Sequence, residues 1–107
     1  MKKYLIQASY NANGVKGLLV DGGSQRKIAV EKMVAGLGGK MESFYYAFGE
    51  HDVYAIMELP DDISAAAAGL TINSSGLVAV STTVLLSPED IDAASKKSVN
   101  YRAPGQK

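Results

Sequence analysis

At 107 residues the chain is long enough for one hydrophobic core and too short for two, and 47% hydrophobic with 21% charged residues is globular composition, not the signature of disorder. Eleven basic residues balance eleven acidic ones, so the broad positive field that nucleic-acid binding needs is missing and no nucleic-acid partner is expected. There is no cysteine, which excludes disulfides, a thiolate nucleophile and cysteine-bound zinc or iron–sulfur clusters.

The chain opens on Met1-Lys2-Lys3, and the apolar run Tyr4-Leu5-Ile6 is broken by Gln7 before a signal-peptide core or membrane span can form. A cytoplasmic protein with no membrane partner is expected. Residues 3–9 read as a first strand with Ile6 and Ala8 inward and Gln7 and Ser9 outward. Val15, Leu18 and Leu19 sit at helical spacing, Asp21-Gly22-Gly23 interrupts, and Ser24 offers an N-cap to a second helical stretch. There Ala29, Val30, Met33, Val34 and Leu37 define one buried face, and Gly38-Gly39 stops the helix.

Residues 41–48 are aromatic-rich enough for a second strand, Gly49-Glu50-His51-Asp52 turns the chain, and residues 53–59 return as a third. Asp61 or Asp62 caps a helix that packs through Ile63, Ala66, Ala67 and Leu70. Residues 77–86 form a β-branched fourth strand, and Ser87-Pro88-Glu89-Asp90 starts a short last helix. The order β-α-β-β-α-β with an extra C-terminal helix predicts an α+β, ferredoxin-like sandwich: an antiparallel four-stranded sheet with helices on one face. Residues 1–97 are read as the domain and 98–107 as a basic tail. All eleven acidic groups precede residue 96, whereas Lys96, Lys97, Arg102 and Lys107 follow it, so the tail suits either a solvated end or contact with an acidic body.

A turn at Gly49–Asp52 that pairs Phe48 with Val53 places Phe44, Tyr46, Phe48, Val53, Ala55 and Met57 on the helix-covered face. The uncovered face then collects Ser43, Tyr45, Ala47, Tyr54, Ile56 and Glu58, with Gln7, Ser9, Ser81 and Thr83 from the flanking strands. That mixture is too apolar for plain solvent, and a second copy of the sheet is the natural cover. A small metabolite held between two such faces would meet Gln7, Ser9, Tyr45, Tyr54 and Glu58.

Glu50-His51-Asp52 contains the single histidine, so His51 is the candidate acid–base group, set against a plain reading in which Gly49 gives turn freedom, Asp52 bonds local amides and Glu50 and His51 are solvated. One histidine beside carboxylates lacks the ligand count of a zinc site, so neither metal nor cofactor is expected. Gly22-Gly23-Ser24 lacks the lysine and spacing of a phosphate-binding loop, and Met33, Met41 and Met57 are read as packing.

Residues 3–10, Gly14-Val15-Lys16-Gly17-Leu18-Leu19, Leu37-Gly38-Gly39-Lys40, Phe48-Gly49-Glu50-His51-Asp52-Val53 and residues 82–86 together resemble the bacterial GYD-domain family. Gly49 and Asp52 map onto the glycine and aspartate of that family's hairpin motif, while His51 stands where the motif has tyrosine and keeps an aromatic edge and a hydrogen-bonding tip. The resemblance implies a fold of the dimeric α+β barrel type, similar to the effector-binding domain of feast/famine transcription regulators, without room for a DNA-binding helix-turn-helix. It implies no established reaction. The expectation is a homo-oligomeric ligand-binding or regulatory module. Its alternatives are a small oxygenase, isomerase or haem-handling enzyme using His51, or a purely structural oligomerisation module.

Overall fold

Val53, Ala55, Met57 and Leu59 are each no more than 4% exposed, and the residues between them are half-buried. That alternation marks β3 (Val53–Leu59) as a central strand, and in a computed structural model describing residues 1–106 it pairs antiparallel with β1 (Lys2–Tyr10) and β2 (Lys40–Tyr46). β4 (Val78–Leu85) pairs antiparallel with the other edge of β1, giving the order β2-β3-β1-β4. The architecture is ferredoxin-like α+β, with α1 (Ala12–Asp21) and α2 (Gly23–Gly36) between β1 and β2, α3 (Asp62–Ser74) between β3 and β4, and α4 (Pro88–Ser95) last. No helix among the described residues is long and apolar enough to cross a membrane.

Helix ends follow side-chain chemistry. Asp61 caps α3 by accepting from the Ser64 amide at 2.8 Å, and Ser87 and Asp90 form a reciprocal capping box on α4 with Pro88 in its first turn. Asn11 caps α1 through the Gly14 amide, and its own side-chain amide donates to the Gly76 carbonyl, tying the start of α1 to the approach to β4. Ser24 does not cap α2. The chain turns at Gly22 with φ 80, a left-handed conformation that favours glycine, and Ser24 already lies inside the helix. At the other end Gly39 is required by contact: a Cβ there would collide with the Glu58 carbonyl and lie 2.7 Å from the Leu59 side chain.

The core gathers Tyr4, Val34, Ala55, Met57, Leu59 and Ala65, with Val30, Met33, Leu37 and Phe44 packed against it. Val34 is fully buried, whereas Ala29, at the edge of the expected α2 stripe, is exposed. The expected face of α3 is wrong by rotation. Ala65 and Ala68 point inward, while Ala66 and Ala67 are exposed and Ile63 and Leu70 are 81% and 73% exposed. Phe48 is a second correction: Tyr46, not Phe48, pairs with Val53, and Phe48 lies on the loop, 97% exposed.

Tyr4 is the largest fully buried side chain, and its hydroxyl donates to Asp62 at 2.6 Å while Lys2 pairs with the same carboxylate at 2.9 Å. Burial first, then the bond to Asp62, pushes the phenol from 10.0 up to about 12, and the bonds from Tyr4 and Lys2 hold the Asp62 carboxyl below its ordinary value. Because the folded phenol titrates above the unfolded one, its contribution is whole below pH 10 and is lost as pH rises toward 12. Tyr4→Phe should therefore cost about 1 kcal/mol in urea unfolding at pH 7 and flatten the alkaline decline between those two pH values. An unchanged decline in the variant would show that another group governs it.

α4 packs extensively against no other element, all its residues are exposed, and so is nearly all of the segment to residue 106. Leu86, Ile91, Val99 and Tyr101 are more than half exposed along it, and Lys96, Lys97 and Arg102 form no ion pair with the body among the described residues; Lys107 lies outside them. The radius of gyration is accordingly 17.3 Å and the longest extent 59 Å.

Candidate functional site

The helix-free face of the sheet carries Tyr45, Tyr54, Gln7 and Ser81 in one row, as the register Tyr45↔Tyr54↔Gln7↔Ser81 requires. The next row in is Ser43, Ile56, Leu5 and Thr83. Leu5 and Ile56 at the centre are only half-buried, and Tyr45 is 71% exposed, so an apolar middle lies open between hydroxyl and amide groups. Leu5 belongs to this face as well, which the sequence does not reveal because the apolar triplet Tyr4-Leu5-Ile6 hides the parity of the strand.

At one end of the face the 49–52 hairpin folds over the sheet. Ser9 Oγ and His51 Nδ1 share a hydrogen bond at 3.2 Å, and the imidazole stands edge-on to Tyr54 with ring centres 5.8 Å apart and planes at 80°. The histidine thus has both features expected of it, an aromatic edge and a hydrogen-bonding tip. Its Nε2 makes no hydrogen bond among the described residues, so no carboxylate orients the ring as a nucleophilic triad would require.

Asp52 fastens the hairpin to the sheet and does so at long range. Its carboxylate accepts from the Tyr10 amide, its own amide donates to the Ala8 carbonyl and its carbonyl accepts from the Ala47 amide, each at 2.8 Å. One residue therefore joins the ends of β1, β2 and β3, beyond the local amides that the sequence predicts as its partners. Gly49 has no positive φ, and a side chain there would meet nothing within 4 Å, so the turn freedom expected of it is not used. Glu50 is exposed and forms no ion pair among the described residues.

Of the expected ligand-binding residues, Gln7, Ser9, Tyr45 and Tyr54 share one end of the face. Glu58 does not join them. It lies four residues beyond Tyr54, about 13 Å along the strand, opposite Lys3 and Lys40. There a register shift at Glu42 directs that carboxylate to Lys3 at 3.0 Å, so the far end of the face is an ionic cluster and not part of the hydroxyl-lined end.

A second concavity lies on the opposite side of the sheet, under the helices. α2 covers β2 and α3 covers β4, and between them a cavity of about 180 Å³ reaches down to Ile6, Ala8, Phe44 and Ala55. It was not legible in the sequence, although one signal was there: Arg26 sits three and four residues before Ala29 and Val30, a charge on the inward stripe of α2. Tyr46 lies at the same end of α2, donating to the Gly23 carbonyl at 3.0 Å. Burial and the neighbouring Tyr10 hold its phenol above the ordinary value, while Arg26 pulls the other way.

No curated protein and no solved structure matches the chain. The family model of the GYD domain matches residues 4–95, from the first core tyrosine to the last residue of α4, and takes in the Gly49–Asp52 hairpin. Over that span the chain belongs to the GYD-domain family.

Proposed function

We propose that the protein is a homo-oligomeric ligand-binding or regulatory module, in which a second copy covers the open sheet face and a small polar metabolite is held between the sheets. The observation that carries this reading is the composition of the face. Gln7, Ser9, Tyr45, Tyr54 and His51 present hydrogen-bonding groups beside a wet apolar patch of Leu5 and Ile56. Four strands about 4.8 Å apart and about 25 Å long give each face roughly 500 Å², so two copies bury about 1,000 Å², the lower bound of a specific interface. The ionic cluster of Lys3, Glu42, Glu58 and Lys40 holds both signs of charge, which lets a face meet its own copy without repulsion.

Native mass spectrometry tests both halves together. Protein purified from its own host is expected at a multiple of the 11.3 kDa chain mass, with a small molecule released when the assembly dissociates. A bare monomer would overturn the proposal. The 3.2 Å pair of Ser9 and His51 favours one further reading, proton transfer by His51 in an isomerase-type reaction on the same bound molecule. His51→Ala would then abolish turnover while leaving oligomer mass unchanged; full turnover in the variant rejects it.

A further inference from the structure

The cavity under the helices belongs to neither the open face nor the hairpin, and its walls say what could enter. Small side chains make the room: Ala65, Ala68 and Gly69 on α3 stand over Ala8 and Ala55 on the sheet, so neither helix fills the space. Ile6, Val30, Met33, Phe44 and Ile72 supply apolar walls and stay half-exposed. The polar groups of the lining are Tyr10, Thr82 and Arg26, and Arg26 is the only charged one. Tyr10 ends β1 and Arg26 begins the lining stripe of α2, the helix whose first residue meets Tyr46, so tyrosine and arginine lie at the same end. Arg26 is half-buried and forms no ion pair among the described residues.

We propose that this cavity is a binding site for a small apolar monocarboxylate, an aryl or branched-chain acid, with its hydrocarbon body among Val30, Met33, Phe44 and Ile72 and its carboxylate at Arg26 and Tyr10. Volume sets the size of the guest. A dry apolar cavity of about 150 Å³ accepts one benzene ring, so about 180 Å³ takes a ring with a short acidic arm. Charge sets its polarity. A guanidinium without a protein carboxylate at the end of an apolar cavity is matched by a single anionic head, which it can hold through two parallel hydrogen bonds. A neutral guest of the same shape fills the walls and leaves that end unmatched.

Phenylacetate is the probe, read by methyl-resolved NMR on the intact protein. Titration should shift the methyls of Ile6, Val30, Met33 and Ile72 and leave Leu5 and Ile56 on the open face in place, which separates this site from the one proposed above. The alcohol 2-phenylethanol should bind roughly ten- to a hundredfold more weakly, and Arg26→Gln should remove that preference. Ala68→Leu, which fills the cavity, should abolish binding while the fold is retained. Equal affinity for acid and alcohol, undiminished binding in the Ala68→Leu protein, or shifts confined to Leu5 and Ile56 would each overturn the proposal. So would a change at the cavity methyls on dilution of the protein alone, which would assign the space to a segment of a second copy.

Discussion

On the proposed pairing of open faces, the Tyr54→Glu protein is expected to have the mass of a single chain, 11.3 kDa, at concentrations where the wild type is expected to be an oligomer. Tyr54 stands in the row with Tyr45 and Gln7 on the face without helices, half-buried before any partner arrives. Tyr54→Glu puts one carboxylate on each of two apposed faces, and closing them would require both to be desolvated with no lysine or arginine at that end of the sheet and only the His51 imidazole beside each. The cost is about 4 kcal/mol for the pair, roughly a thousandfold in the dissociation constant. Folding stability should change by well under that amount, because the side chain does not enter the core. Tyr54→Phe, which keeps the ring, should stay oligomeric. Sedimentation equilibrium on the three proteins decides the matter, and wild-type mass for the glutamate variant would show that the subunits meet elsewhere.

The second large effect is expected at Asp52. Asp52→Ala leaves the Tyr10 amide without its acceptor at the end of three strands, and should lower stability by about 2 kcal/mol in urea unfolding. Asp52→Asn keeps an oxygen in place of the lost carboxylate and should cost less than about 1 kcal/mol. Releasing the hairpin should also separate His51 from Ser9, seen as loss of the His51 ring contact with Tyr54 in NMR spectra of the alanine variant. Equal stability of the alanine and wild-type proteins would mean that the backbone bonds of residue 52 hold the hairpin unaided.

The faces of the sheet were legible because they depend on parity alone. Pairing Val53 with Tyr46 instead of Phe48 moves the register by two residues, which preserves the side of residues 43–46 and of β3 while ejecting Phe48 from the core; before the shift at Glu42 the parity of β2 reverses, and Met41 pairs with Met57 on the covered face. The inner face of α3 was not legible, because Ala65 to Ala68 offers no contrast in size or polarity around the helix. Ile63 and Leu70 then drew the expected stripe to the wrong side. Ser9, His51 and Asp52 were each recognisable as polar groups of interest. Their bonds span 42 residues of sequence and depend on where two strand ends meet. The cavity is less accessible still, since it comes from the spacing of α2 and α3, and its one local trace is the charge of Arg26 on the inward stripe of α2. Glu58 shows the converse: shared parity put it on the right face, but distance along the strand took it out of the site.

The projecting α4 and the segment after it change how the molecule moves through a column or a solution. A radius of gyration of 17.3 Å is that of a compact domain of roughly 230 residues, about twice the 107 present. A lone chain should therefore elute earlier than a compact globule of the same mass. Elution volume alone would overstate the mass of one subunit, and cutting the arm away by limited proteolysis should delay elution more than the lost mass explains.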